Sequence, residues 1–342
     1  MKKNKQRGLF DEQFRLEKLE SKGDPLIVIN EMLDWELFRP LLKKVFKKQA
    51  KGPGGRPPGD YIMMFKILIL QRLYNLSDEQ MEYQINDRLS FMRFLGLNIS
   101  DDIPDQNTIW LFRENLTQAN AIEKLFKKYD RYLDEHGIIA YKGSIVDASF
   151  VEAPRQRNSK EENEQIKKGE VPDDWQDNPH KYCQKDTDAR WTKKNGINHY
   201  GYKNHIKVDR KTKLIRAYKT TDASIHDSQV LGDLLNKDDA HHELYGDSAY
   251  SGDPVKQLLE HRSIRNRIHE KGYRGAPLSK KQKEKNRLKS KSRARVEHVF
   301  GFIKTSMKGS NSRAIGHKRN DGIVGLINLT YNMCRFTQLC RI

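Results

Sequence analysis

Near residue 140 the periodicity of this chain changes, and that change limits the possible folds more than any other feature of the sequence. Before it, apolar residues recur at helical spacing. Ile29, Met32, Leu33, Leu37, Leu41, Leu42 and Val45 predict one amphipathic helix over 26–46. KGPGGRPPGD then breaks the pattern, and the apolar run from Tyr61 to Tyr74 predicts a second helix. Ser77 followed by Asp78, Glu79 and Gln80 predicts a capping box that opens a helix through Leu89. Asp105 or Asn107 is placed to cap TIWLFRENL, and a further helix is expected from about 118 to 136. Residues 1 to about 24 are polar and charged and are expected to be poorly ordered.

After residue 140, short β-prone runs alternate with helical ones. Strands are expected over 144–151, 199–208 and 214–220, the last two joined by the turn DRKTK, and again over 243–246 and 264–268. Helices are expected over 226–235, 254–261 and, as one long element, 281–308. That order predicts an α/β domain, a mixed sheet flanked by helices, preceded by an all-α N-terminal region. The domain boundaries read from it are 1–138 and 139–342, with a polar insertion of about 154–197 in the second. The insertion has few apolar residues and much charge, so it is expected to loop out of the sheet.

Three acids stand in unlike settings within the second domain: Asp147 in KGSIVDASFVEAP, Asp247 in HELYGDSAYSG and Glu297 in RARVEHVFGFIK. The first two follow apolar, β-prone runs, where an ionised carboxylate is costly unless a cation or several hydrogen bonds compensate. Carboxylates converging from a strand, a strand end and a helix suit a hard divalent ion. The formal net charge is +18, which asks for a polyanionic partner. Between Lys271 and Asn320 there are sixteen Lys and Arg against Glu284 and Glu297 alone, so basic charge surrounds the third acid. A phosphodiester beside a metal is the substrate that combination fits.

On the last long helix Val296, Phe300, Ile303 and Met307 form one apolar stripe, and Arg293, Glu297 and Lys304 a neighbouring polar one. Glu297 should then sit at the edge of the buried face, with Arg293 and Lys304 reaching phosphates. His226 and Asp227, in ASIHDSQ, are read as the cap of the helix they open. The short N-terminal helices fit a helix-turn-helix DNA-binding module in which Arg113 is assigned to DNA. Three cysteines show neither a C-x-x-C pair nor the even, closely spaced pattern of a disulfide scaffold and read as reduced thiols, and His241 and His242 lack cysteines at zinc-ligand spacing. No apolar stretch reaches about 18 residues, so no membrane span is expected and the reading is a soluble, cytoplasmic protein.

Six phrases, GRPPGDYIMMFKILILQRLYNLSDEQMEYQINDRLSF, PDQNTIWLFREN, VDASFVEAP, GYKNHIKVD, YGDSAYSG and RARVEHVFGFIK, occur in an order that resembles DDE-type bacterial insertion-sequence transposases of the insertion-sequence-five kind. The resemblance covers about 55–340. It implies an RNase H-like catalytic domain of the retroviral-integrase superfamily, with Asp147, Asp247 and Glu297 as catalytic metal ligands. It also gives R-x₃-E-x₆-K its meaning, through Arg293, Glu297 and Lys304. The wider signature has Tyr three positions before the Arg, where this chain has Ser290. The activity implied is binding of terminal inverted repeats, metal-dependent cleavage of the transposon ends, and joining of the 3′-hydroxyl ends to target DNA. Its cofactor would be Mg²⁺, two ions, with Mn²⁺ able to substitute. A homodimer in the synaptic complex, at work on a prokaryotic nucleoid, is the expected partner arrangement. The other classes weighed are an RNase H-like structure-specific nuclease or resolvase and a non-catalytic DNA-binding regulator.

Overall fold

The structure, a computed structural model, describes residue 8 and residues 10–47 and 59–341. The break KGPGGRPPGD and the start of the GRPPGDY phrase fall, up to residue 58, outside the described residues, as does most of the segment before residue 10. Internal contacts divide the described chain into two units: residues up to 121 together with 333–341, and Ile122–Asn332.

The first unit is helical. It contains α1 (Asp11–Glu20), α2 (Pro25–Met32), α3 (Arg39–Phe46), α4 (Tyr61–Tyr74), α5 (Asp78–Asp87), α6 (Leu89–Leu95) and α7 (Gln106–Gln118). The single helix expected over 26–46 is broken. Asp34 turns its carboxylate onto the Glu36 N–H, which starts a 3₁₀ turn over Trp35–Phe38, and Pro40 lies in the first turn of α3. The apolar spacing is still met, because Leu26, Ile29, Leu33, Trp35, Phe38 and Leu42 are all buried. The expected helix over Tyr61–Tyr74 is present and closes at Asn75, whose φ of 52° is left-handed. α5 opens with the Ser77–Gln80 capping box, and α7 with Asp105 accepting from the Thr108 N–H.

The second unit is built on six strands: β1 (Ser144–Glu152), β2 (Arg190–Lys194), β3 (Ile197–Asp209), β4 (Ile215–Asp222), β5 (Glu243–Tyr245) and β6 (Arg265–Asn266). β1 pairs antiparallel with β3, and β3 with β4, whereas β1 pairs parallel with β5 and β5 with β6. The order β4-β3-β1-β5-β6, three antiparallel strands continued by parallel ones, is that of an RNase H-like sheet. Gly201 marks where β3 crosses the end of β1. A Cβ there would lie 2.5 Å from the Val151 carbonyl oxygen and 2.6 Å from the Ala153 nitrogen, so only glycine lets the two backbones approach.

The two faces of β1 go to different cores. Val146 packs with Val230, Leu231, Leu244, Tyr250 and Leu259. The opposite face carries Asp147 and Ser149 beside Ile206 and Asn204 of β3. There Asn204 and Asn328 exchange amide hydrogen bonds of 2.8 and 3.1 Å, which pin α15 (His317–Cys340) across the sheet. α8 (Ala121–Glu135) meets β4 through Phe126 on Tyr218, ring centroids 4.9 Å apart, and Asp130 against Arg216 at 2.7 Å.

The insertion, expected to loop out of the sheet, returns to it at its end. It folds as α9 (Lys160–Lys168), α10 (Asp173–Gln176) and α11 (Pro179–Tyr182) and ends in β2, which pairs with the start of β3. Its core is one aromatic ring held by charge. Trp175 is fully buried, its indole N–H donates to Glu162 at 2.7 Å, and Lys181 and Lys185 stand over its ring. Asp186 accepts the Tyr202 hydroxyl at 2.8 Å, tying the segment to β3.

The helix expected over 226–235 shortens to a 3₁₀ turn, Asp227–Val230, and α12 (Leu231–Leu234). α13 (Asp253–His261) follows the expected bounds, and the strand expected over 264–268 contracts to β6. α14 (Lys280–Gly301) stops seven residues early and continues as a π-helical turn over Phe302–Ser306.

Candidate active site

Register brings the first two acids together. β1 and β5 pair in parallel with Ser144 against Leu244 and Ile145 against Tyr245, so two residues further along Asp247 comes abreast of Asp147. Asp247 leaves the strand as the cap of a 3₁₀ turn, its Oδ1 accepting from the Ala249 N–H at 2.8 Å. Gly246 keeps the corner tight, since a Cβ there would lie 3.2 Å from Val146 Cγ2. Asp147 is buried on its strand, and its Oδ1 accepts from the Ala148 N–H at 2.8 Å.

α14 supplies the third acid. Val296 and Phe300 enter the core as the apolar spacing requires, and Ile303 and Met307 continue the stripe. Glu297, one residue on from Val296, therefore emerges at the rim, with its side chain 56% exposed. Arg293 joins the two elements. One guanidinium nitrogen donates to Asp147 Oδ2 at 2.9 Å and another to Glu297 Oε1 at 2.8 Å.

The electrostatics follow from one cation facing several anions. Burial pushes the Asp147 carboxyl up to about 6, and the charges of Asp247 and Glu297 act in the same direction against the Ala148 N–H and Arg293. Burial also raises the Tyr250 phenol, helped by Asp227, Asp147 and Asp247. Its hydroxyl is buried and has no hydrogen-bond partner among the described residues.

As donors, three carboxylates suit a hard divalent ion, and the surplus of buried negative charge is what such an ion would neutralise. Among the described residues no group of three His, Cys, Asp or Glu stands close enough together to hold a metal. Arg293 takes one oxygen each from Asp147 and Glu297.

The remaining sequence-derived residues fall in different places. Lys304 lies in the π-helical turn, its ammonium 5.9 Å from the Phe300 ring centroid, and makes no ion pair among the described residues. The widened turn slips the seven-residue phase that would align Lys304 with Glu297 in an unbroken α-helix. Arg113 is inside the helical unit, forked onto Asp78 at 2.6 and 2.7 Å and bonded to Gln71. His226 caps its 3₁₀ turn, and Asp227 is buried in an ion pair with Lys203 at 2.9 Å. Sequence reasoning passed over His269. Its imidazole, lowered by burial and by Arg293 and Lys289, is 3.3 Å from the Ser290 hydroxyl, at the position where the resemblance expects Tyr. It is placed there by a backbone bond, His269 N–H to the Gly246 carbonyl, which no sequence motif encodes.

The family model for the transposase DDE domain matches residues 139–333, a span containing all three acids. The chain belongs to the DDE transposase family. A second model, a transposase domain of the DUF772 kind, matches residues 14–115 of this transposase. Among solved structures the transposase is similar to a chain of a piggyBac transposase synaptic complex with hairpin DNA, at 11% identity and a TM-score of 0.46, covering 92% of this chain and 75% of that one. Transposases of this family are enzymes that generally use a divalent metal and act on DNA. No helix among the described residues is long and apolar enough to cross a membrane.

Proposed function

We propose that this transposase binds the terminal inverted repeats of its own element, hydrolyses the phosphodiester at each end and joins the freed 3′-hydroxyls to target DNA, with Asp147, Asp247 and Glu297 holding two Mg²⁺ ions. The observation that carries the reading is convergence: a buried strand acid and a helix acid share one arginine, and the charge of the strand-end acid Asp247 acts on the first of them. When bound, two ions supply charge stabilisation to the attacking and leaving oxygens of an in-line displacement.

The protein's own groups do the positioning. The Ala148 and Ala249 N–H groups fix one oxygen of each aspartate, so the other oxygens are aimed rather than free to rotate. Arg293, once turned from the carboxylates, presents a planar fork to a phosphate beside the scissile bond. Lys304, exposed on the π-helical turn, adds a second positive charge to the same helix. Sequence reading is assigned to the helical unit, through the exposed faces of its short helices rather than through Arg113, which already donates three hydrogen bonds to Asp78 and Gln71. Because two ends must be cut together, a homodimer is the working form, acting at the nucleoid in the cytoplasm.

The test is cleavage of DNA carrying the inverted repeats that flank the reading frame, with purified protein and Mg²⁺. Nicking at the repeat ends that leaves 3′-hydroxyls, followed by their transfer to a second duplex, is the expected result. Cutting of junctions irrespective of the repeats would favour a structure-specific nuclease. DNA binding with no cutting under any divalent metal would leave a regulator.

A further inference from the structure

We infer that Arg293 is a built-in stand-in for the divalent cation: in the DNA-free protein its guanidinium bridges Asp147 and Glu297, excluding metal until a DNA phosphate draws the side chain away. This rests on the reading of those acids as metal ligands and adds a control on when they are loaded.

Three features of the geometry support it. The fork spans two separate elements, donating to β1 at 2.9 Å and to α14 at 2.8 Å, which is the bridging role a cation between those carboxylates would fill. It also takes the oxygen a metal would need. Asp147 Oδ1 already accepts the Ala148 N–H, and Oδ2, the oxygen without a backbone donor, is the atom that Arg293 binds. Consistent with that, the described residues hold no ready-made group of three ligands.

The contact is also releasable. Among the described residues Arg293 has no hydrogen-bond partner beyond those two carboxylates, and its side chain is about a quarter exposed (24%). Guanidinium binds phosphate through the same fork that it offers to carboxylate. A backbone phosphate arriving at α14 therefore competes for Arg293 and frees both acids in one movement. Metal affinity is reduced by the fraction of time the carboxylates are free, and DNA restores it. Linkage requires the converse as well: metal must tighten DNA binding by the same factor.

The experiment is Mn²⁺ binding to the DNA-free full chain, read from the free-ion electron paramagnetic resonance signal, in parental protein, Arg293→Gln, Arg293→Lys, Lys291→Gln and Asp147→Asn. Arg293→Gln should bind Mn²⁺ about ten-fold more tightly than the parent, as expected for release from a mostly closed state. Lys291→Gln, which removes a charge elsewhere on α14, should stay within about two-fold because exposed charge is screened. Arg293→Lys keeps the charge but loses the fork and should fall between. If Arg293→Gln fails to fold, Arg293→Lys decides, and parental affinity in that variant overturns the inference. Unchanged or weaker binding in a folded Arg293→Gln, with Asp147→Asn losing Mn²⁺, overturns the stand-in and leaves the metal site standing. Equal tightening in Lys291→Gln also overturns it, since the effect would be one of general charge. Undiminished Mn²⁺ binding by Asp147→Asn removes the metal site, and the inference with it.

Discussion

The chain contains two arginine–carboxylate clamps of similar chemistry and opposite charge balance. In the helical unit Arg113 forks onto Asp78, and half-buried Arg72 stands near the same carboxylate, so two cations face one acid. Burial alone would raise the Asp78 carboxyl, but the hydrogen bonds from Arg113 and Gln71 outweigh it and hold it below its ordinary value. In the sheet unit Arg293 faces Asp147, Glu297 and the field of Asp247, so three acids face one cation, and Asp147 is pushed up to about 6. A cation-rich clamp joins helices. An acid-rich clamp is a place where further positive charge belongs.

The largest expected effect separates the two clamps by chemistry. Asp147→Asn, Asp247→Asn and Glu297→Gln should each lower cleavage by about a thousand-fold or more, the loss expected when transition-state charge stabilisation is removed. Asp78→Asn should cut at the parental rate per folded molecule. Single-turnover cleavage at saturating DNA measures both, and a near-parental rate for any of the first three removes that residue from the site.

Stability should separate them next, and with opposite sign. Arg113→Met leaves Asp78 partly buried without its fork and should cost about 3 kcal/mol in urea unfolding. Asp147→Asn relieves a buried, crowded carboxylate and should raise the melting temperature in metal-free buffer at pH 7. Destabilisation by Asp147→Asn would mean that Asp147 is balanced as Asp78 is, and the contrast would fail.

pH sharpens the point. Burial lowers the His205 imidazole to about 4, so between roughly pH 6.5 and 4 the unfolded chain takes up a proton that the folded one refuses, and stability falls as pH falls. Asp147 runs the other way. Its folded value near 6 lies above the unfolded one near 3.9, so acidification through that window stabilises the fold. The two trends oppose each other over almost the same range. In metal-free thermal melts between pH 6 and 4, Asp147→Asn should therefore shift the trend on acidification toward loss relative to the parent, and His205→Gln toward gain. Identical pH slopes in the parent and both variants would contradict the two assignments.

The smallest effect concerns DNA. Arg293→Gln and Lys304→Gln should each reduce the log–log salt slope of duplex binding by about 0.9, one released counterion. A slope change for Lys304 alone would keep Arg293 on its carboxylates even in the complex.

Much of this site could be read in the sequence, and the reasons are local. Asp147 and Asp247 each end or interrupt an apolar β-run, and parallel pairing of those runs was enough to bring them abreast. Glu297 followed from the four-residue spacing of Val296 and Phe300. What could not be read depended on side chains competing with the backbone or on distant partners. Asp34 breaks a helix whose apolar spacing was intact. The π-helical turn leaves Ile303 and Met307 buried, so the apolar pattern gave no sign of it. The insertion hid its core because a single Trp ringed by Glu162, Lys181 and Lys185 counts as polar sequence.

The division of the chain into units has a consequence in time. Residues 333–341 group with the helical unit, and Met333, Cys334, Phe336 and Thr337 among them are buried. On a ribosome, the helices up to residue 121 emerge first, yet their unit is completed by residues made more than two hundred positions later. Synthesis of the sheet unit thus comes between the first and last parts of the helical one. A transcript cut short before residue 333 would yield a chain with all three acids and an unfinished helical unit.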